Sequence, residues 1–266
     1  MIQNGYKKLK KDLRDYDFLK SKKLAGVGVQ TSDLPSNFSV DAGLWMPNQN
    51  AMGLPYGCTG MTQADLCSDE DGVIYDPADI YDNTPPGGRD DGRDIRDSLK
   101  VVCTEGRPIK RYLSDGVGNP RPAYFTVRPS GKIDYFDAVR IAILINQQEK
   151  RSVSVGTPWY PEWGVAPNGF LRAPSDYSWG HAGSGHNWKV CGWKTIDGVP
   201  YLLGKTWQGE EWGDGGWCYV SREIFNKTMK QFGTAAFTVA DDSVVATVDK
   251  SVVDQLVAFI RNLFNL

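Results

Sequence analysis

Helical periodicity and strand alternation divide this 266-residue chain into two unlike halves. After the turn residues Gly53, Pro55 and Gly57, the stretch from Cys58 places Met61, Ala64 and Leu66 to Cys67 near helical spacing, which predicts a helix that begins at Cys58 and ends before Ser68. Asp94 reads as an N-cap for a helix whose Ile95, Leu99 and Val102 share one face, with Gly106 beyond its end. Phe136, Val139, Ile143 and Leu144 predict a further helix over 135–148. From residue 152 the pattern changes to short β-branched and aromatic runs: 152–156, 187–193, 199–207 behind an Asp197-Gly198 turn, 216–221 and 232–240, with a short helix over 222–229. Helices followed by strands imply an α+β architecture. With 41% apolar and 23% charged residues the chain can bury a sizeable core, which excludes collagen, a coiled coil and wholesale disorder.

Thirty basic against thirty-two acidic side chains leave a net charge of −2, so no global field draws the chain to nucleic acid or an anionic membrane. Residues 1–24 are locally basic, with eight Lys or Arg against three Asp, and read as a solvated lead-in strap. No apolar run of signal-peptide length follows these lysines, and residues 252–266, interrupted by Asp254 and Arg261, are too short for a transmembrane helix. Residues 68–94 are acidic and loop-like, broken by Pro85-Pro86-Gly87-Gly88. The acids from Asp65 to Asp97 follow no EF-hand pattern and read as a solvated loop, and no glycine loop of phosphate-binding type is present. The tail places Val253, Leu256, Ile260, Leu263 and Phe264 on one helical face. That face either docks on its own domain or meets a protein partner or membrane surface.

Five widely spaced cysteines form no metal-ligand pattern and point to a reducing compartment. Cys67, Cys103, Cys191 and Cys218 sit within apolar patterns and read as small buried hydrophobes. Cys58 differs, because a thiol at the first residue of a helix meets the positive end of the dipole, which favours the thiolate. A nucleophilic thiol needs a base, and only His181 and His186 are available. His181 lies in a glycine-rich loop, whereas His186 directly precedes a strand. Of the tryptophans, Trp193, Trp212 and Trp217 fit the core, while Trp159, Trp163, Trp179, Trp188 and Trp207 are candidates to line a cleft.

Several segments, in order, resemble the papain-like cysteine peptidases, chiefly their divergent bacterial and phage-encoded branch. These are Arg14 to Leu19 and Leu34 to Asp41, Asn48-Gln49 followed by Gly57-Cys58-Thr59-Gly60, and residues 75–85 followed by 91–106. His186 with Gly192-Trp193 comes next, and then Lys205 to Trp217. The resemblance covers about residues 14–225. The separation of about 130 residues between Cys58 and His186 also suits such an enzyme.

The resemblance implies a two-lobe α+β fold, with a helical left lobe, an antiparallel β-barrel-like right lobe and the active-site cleft between them. It implies Cys58 as nucleophile, His186 as base, Gln49 with the Cys58 backbone N–H as oxyanion stabiliser, and Asp91 and Gly92 lining the cleft. Thr206 stands where the family carries the Asn that orients the histidine, and Gln208 where it carries a shielding Trp. Gln208 as orienter with Trp207 as shield is the alternative assignment, and Asn48 or Asn50 the alternative to Gln49. The expected organisation is a lead-in over 1–33, a peptidase domain over 34–240 (helical lobe about 50–130, β lobe about 131–240), a linker over 241–250 and an apolar helix over 251–266. The expected activity is cofactor-free, metal-free hydrolysis of a peptide or protein substrate, in a cytoplasmic or phage-associated setting. Two other readings are a weakly active papain-like scaffold within a larger assembly such as a phage particle, and an amidase acting on cell-wall peptides.

Overall fold

The computed structural model describes residues 6–7, 31, 34–41, 48–85, 92–104, 106–121, 123–147, 150–175, 184–232 and 236–240. His181, Trp179, Asp91, most of the lead-in, the linker and the C-terminal helix lie outside them. Helix α1 (Cys58–Asp71) is buried from Cys58 through Asp69. It runs one turn further than the sequence predicts, because its last turn finds polar partners inside the protein. Ser68 Oγ donates to Ala64 O at 2.6 Å and accepts from Tyr75 N at 3.0 Å. Gly72, at φ 68°, ends the helix by donating its N–H to Ser68 O.

The acidic stretch expected as loop contains helix α2 (Pro77–Asp82). Proline at its start has no N–H to lose, and the Asp76 carboxylate accepts from Ala78 N at 2.9 Å. Helix α3 (Ile95–Val102) starts where expected, with Asp94 accepting from Arg96 N and Asp97 N. Met61, Ala64, Cys67, Ile80, Ile95, Leu99 and Ile109 close the helical lobe around α1.

Helix α4 (Tyr135–Ile145) packs on the second lobe and stops at Asn146, short of the expected Gln148. The strands are β1 (Tyr6–Lys7), β2 (Phe38–Ser39), β3 (Arg93–Asp94), β4 (Ile109–Lys110), β5 (Val117–Gly118) and β6 (Ala123–Val127), then β7 (Val153–Trp159), β8 (Phe170–Leu171), β9 (Ser184–Ile196), β10 (Val199–Lys205), β11 (Trp217–Ser221) and β12 (Ala236–Ala240). The main sheet runs β6-β12-β7-β9-β10-β11-β8, and β9 also pairs with β1 and β2. Helix α5 (Arg222–Phe232), longer than the expected 222–229, follows β11 directly. The β9–β10 hairpin turns at Asp197 and Gly198, both at positive φ, as an Asp-Gly turn requires. No helix among the described residues is long and apolar enough to cross a membrane.

The lobes meet along α1 and β9. Asn187 and Lys189 leave β9 on the face toward α1. Gln63 Nε2 donates to Ser154 Oγ at 3.2 Å and Asn187 Oδ1 at 3.4 Å. The Lys189 ammonium, fully buried, lies 2.6 Å from Asp65, 2.8 Å from Asp69 and 2.7 Å from Asp41. Asp65 and Asp69 are therefore not the solvated acids expected; helical spacing turns both inward against this cation, and Asp65 also meets Lys205 at 3.6 Å. The three carboxylates could in principle hold a metal ion, and the ammonium fills that place.

Removing one partner of a buried ion pair costs about 3–5 kcal/mol, because the others keep their charge in a low-dielectric site. Lys189→Met is expected to lower the unfolding free energy by about that amount in urea titration. Burial pushes the Asp69 carboxyl up to about 6, with Lys189 opposing and Asp65 and Asp41 adding to the shift. A folded value above the ordinary one of about 3.9 gives stability complete below about pH 4 and lost as pH rises through about 6. The stability of the parent minus that of Asp69→Asn should therefore fall from about pH 4 to about pH 7, and a rise over that window would contradict this account.

Candidate active site

Cys58 opens α1 behind Gly57, where a β-carbon would stand 2.7 Å from that of Leu54. Neither a side-chain cap nor an acidic residue occupies the first turn of α1, so that turn itself places no carboxylate at the positive helix end. Thr62 Oγ1 donates to Cys58 O at 2.8 Å and accepts from Trp207 Nε1 at 2.8 Å. This relay ties the loop after β10 to the first turn of α1. Trp207 is buried with Cys58 in the helical-lobe core. Its indole thus points into that lobe.

Gln49 is buried, with its backbone N–H on Trp207 O at 3.2 Å and its O accepting from Leu54 N. Its side-chain amide donates to Pro55 O at 2.9 Å, a bond that uses one of its two N–H hydrogens. Asn48 Oδ1 accepts from Asn50 N at 2.8 Å and so shapes the turn. Gly92 is buried at the entry to β3.

His186 stands on β9 opposite Thr157 of β7. It is fully buried, and neither ring nitrogen has a hydrogen-bond partner among the described residues. Burial alone pushes its imidazole down to about 3, so the ring is neutral. Thr206 follows the end of β10 with its Oγ1 buried and unpaired among the described residues, as are both amide atoms of Gln208. No hydrogen bond therefore joins Thr206 or Gln208 to His186. The ring in contact with the imidazole is Trp159, with centroids 4.5 Å apart. Sequence reasoning placed Trp159 only among possible cleft residues, although strand alternation from Thr157 puts it on the imidazole's face.

Strand β1 spans the two lobes. It runs parallel to Arg93–Asp94 of β3 and pairs antiparallel with Gly185, the residue before His186. Part of the lead-in expected as a solvated strap is thus a strand seated beside the candidate base.

The remaining cysteines are chemically quiet. Burial pushes Cys67, Cys103 and Cys191 up to about 12 and Cys218 higher still.

Neither a family model nor a curated protein sequence matches the chain. Solved structures do. Xylellain, a cysteine protease of Xylella fastidiosa, aligns over 90% of this chain and 96% of its own at 16% identity and TM-score 0.64. The bromelain protease of Ananas comosus, solved with the E64 inhibitor, aligns over 78% and 100% at 15% identity and TM-score 0.58. The procathepsin B S9 of Trypanosoma congolense aligns over 88% and 85% at 12% identity and TM-score 0.62. The fold is papain-like. Within that papain-like fold the helical lobe begins with Cys58 and the β lobe carries His186.

Iodoacetamide at about pH 7 should label Cys58 ahead of the four other cysteines, located by peptide mapping, because Cys58 stands at the first residue of α1 while burial raises the other four thiols. Preferential labelling of Cys67, Cys103, Cys191 or Cys218 would contradict that ranking.

Proposed function

We propose that the protein is a cysteine peptidase that hydrolyses peptide bonds with Cys58 as nucleophile and His186 as base. The observation that carries this reading is a cysteine at the first residue of the buried α1 helix, in a papain-like fold whose β9 strand carries a histidine. A neutral imidazole is the form able to accept a proton. As the sulfur attacks the carbonyl carbon, the thiol proton passes to an imidazole nitrogen and the carbonyl π-pair moves to oxygen. The Cys58 backbone N–H and the Gln49 amide are the donors assigned to that oxyanion. The imidazolium then gives its proton to the leaving amine. Water, deprotonated by the same ring, releases the acyl group from sulfur.

Strand β1 marks where an extended substrate would lie. Its backbone already pairs with one segment of each lobe, and a peptide added as a strand would use the same donors and acceptors. In this reading the lead-in competes with substrate. Thr206 takes the position that the resemblance gives the orienting residue, without a bond to the ring.

Cys58→Ala and His186→Ala should each lower turnover of a quenched fluorescent peptide library by on the order of 10³-fold or more, with circular dichroism unchanged. Full turnover in either folded variant would overturn the assignment. Deleting residues 1–12 should raise kcat/KM by freeing the strand position, and an unchanged value would remove β1 from the account of control.

A further inference from the structure

His186 raises a mechanical problem. An imidazole rotates about two side-chain bonds, and one usually fixed in place donates or accepts at least one hydrogen bond. Both nitrogens of His186 lack such a partner among the described residues, and so do the Thr206 hydroxyl and the Gln208 amide. Among the described residues, something other than hydrogen bonding holds the ring.

The register of β7 on β9 supplies the candidate. Thr157 faces His186 and Trp159 faces Ser184, so Trp159 is the diagonal neighbour of His186, within the reach of an aromatic side chain. The two rings are tilted by 58° with centroids 4.5 Å apart. Trp159 is itself clamped. The ring of Trp163 meets it edge-on at 5.4 Å and 81°, and that of Trp212 lies at 5.9 Å. Those two rings are fixed through their own indole N–H groups, Trp163 to Arg172 O at 2.8 Å and Trp212 to Trp163 O at 3.1 Å.

The indole N–H of Trp159 is different: it is buried with no partner among the described residues. A buried donor left unsatisfied is costly, and such groups in native proteins call for a reason. Here the nitrogen is not what the position uses. The ring is held by its faces and edges and lies against the imidazole. We propose that Trp159 is the positioning residue of the site, confining the His186 ring by contact where no described side chain does so by hydrogen bonding. The proposal rests on His186 being the base, and it makes Trp159 a residue that acts only through that ring.

The test uses the full chain with histidine labelled at Cε1. Because the sequence holds only two histidines, the spectrum contains two such signals, and His186→Ala assigns them. In the parent the His186 signal should be displaced upfield by the Trp159 ring current. Trp159→Phe keeps a ring and discards the unpaired N–H, so it should keep the displacement and turnover near the parent's. Trp159→Leu keeps apolar volume without a ring. It should return the signal to the ordinary histidine position and lower kcat by about 10-fold, with KM within about 2-fold. Trp159→Ala should do the same where it folds.

An unmoved His186 signal, or an unchanged kcat, in folded Trp159→Leu would overturn the proposal. Loss of activity in Trp159→Phe as large as in Trp159→Leu would also overturn it, since the N–H would then matter. Full turnover in His186→Ala would instead remove the base, a failure separate from the other two because it is read on a different variant.

Discussion

The Lys189 ammonium lies at the point where the two lobes meet. Asp65 and Asp69 reach it from α1, and Asp41 reaches it from the segment after β2. Because α1 begins with the candidate nucleophile and β9 carries the candidate base three residues before Lys189, this contact fixes the sliding of helix against strand. A buried ion cluster of this kind is a poor source of net stability, since desolvation offsets most of the attraction. Its effect is on register. Apolar surfaces tolerate a shift of one residue far better than three carboxylates aimed at one cation do.

The candidate site includes several buried polar groups. His186, Thr206, Gln208 and Thr59 all bury polar atoms without partners among the described residues. Most buried polar groups in native proteins are paired, so each of these is a local cost borne by the surrounding packing. That packing is largely aromatic: Trp159, Trp163 and Trp212 stand on one side of the imidazole, and Trp207 closes the helical lobe beside Cys58.

Much of this was legible in the sequence, and the failures share a physical cause. The starts of α1 and α3 follow from Gly57-Cys58 and from the Asp94 cap, and the β9–β10 hairpin from Asp197-Gly198, because these signals are local. Helix α2 was hidden by acidic composition, although Asp76-Pro77 is a local start signal. The burial of Asp65 and Asp69 was not legible, since it depends on a lysine more than a hundred residues away that pairs with both. The contact of Trp159 with His186 depends on strand register, which alternation alone does not fix. Substitutions at 206 and 208 were visible as departures from a resemblance.

Trp207 belongs by sequence to the loop after β10, yet its indole is buried in the core of the helical lobe and bonded to Thr62, while its carbonyl holds Gln49. The two lobes are in this sense stapled. Spreading them like a clam shell requires drawing an indole of about 200 Å² into water, which costs on the order of 5 kcal/mol and leaves such open forms at roughly one molecule in several thousand. Under the proposed peptidase function, lobes that resist opening would favour substrate chains that are already extended, such as a loop or frayed terminus, over compact folded proteins.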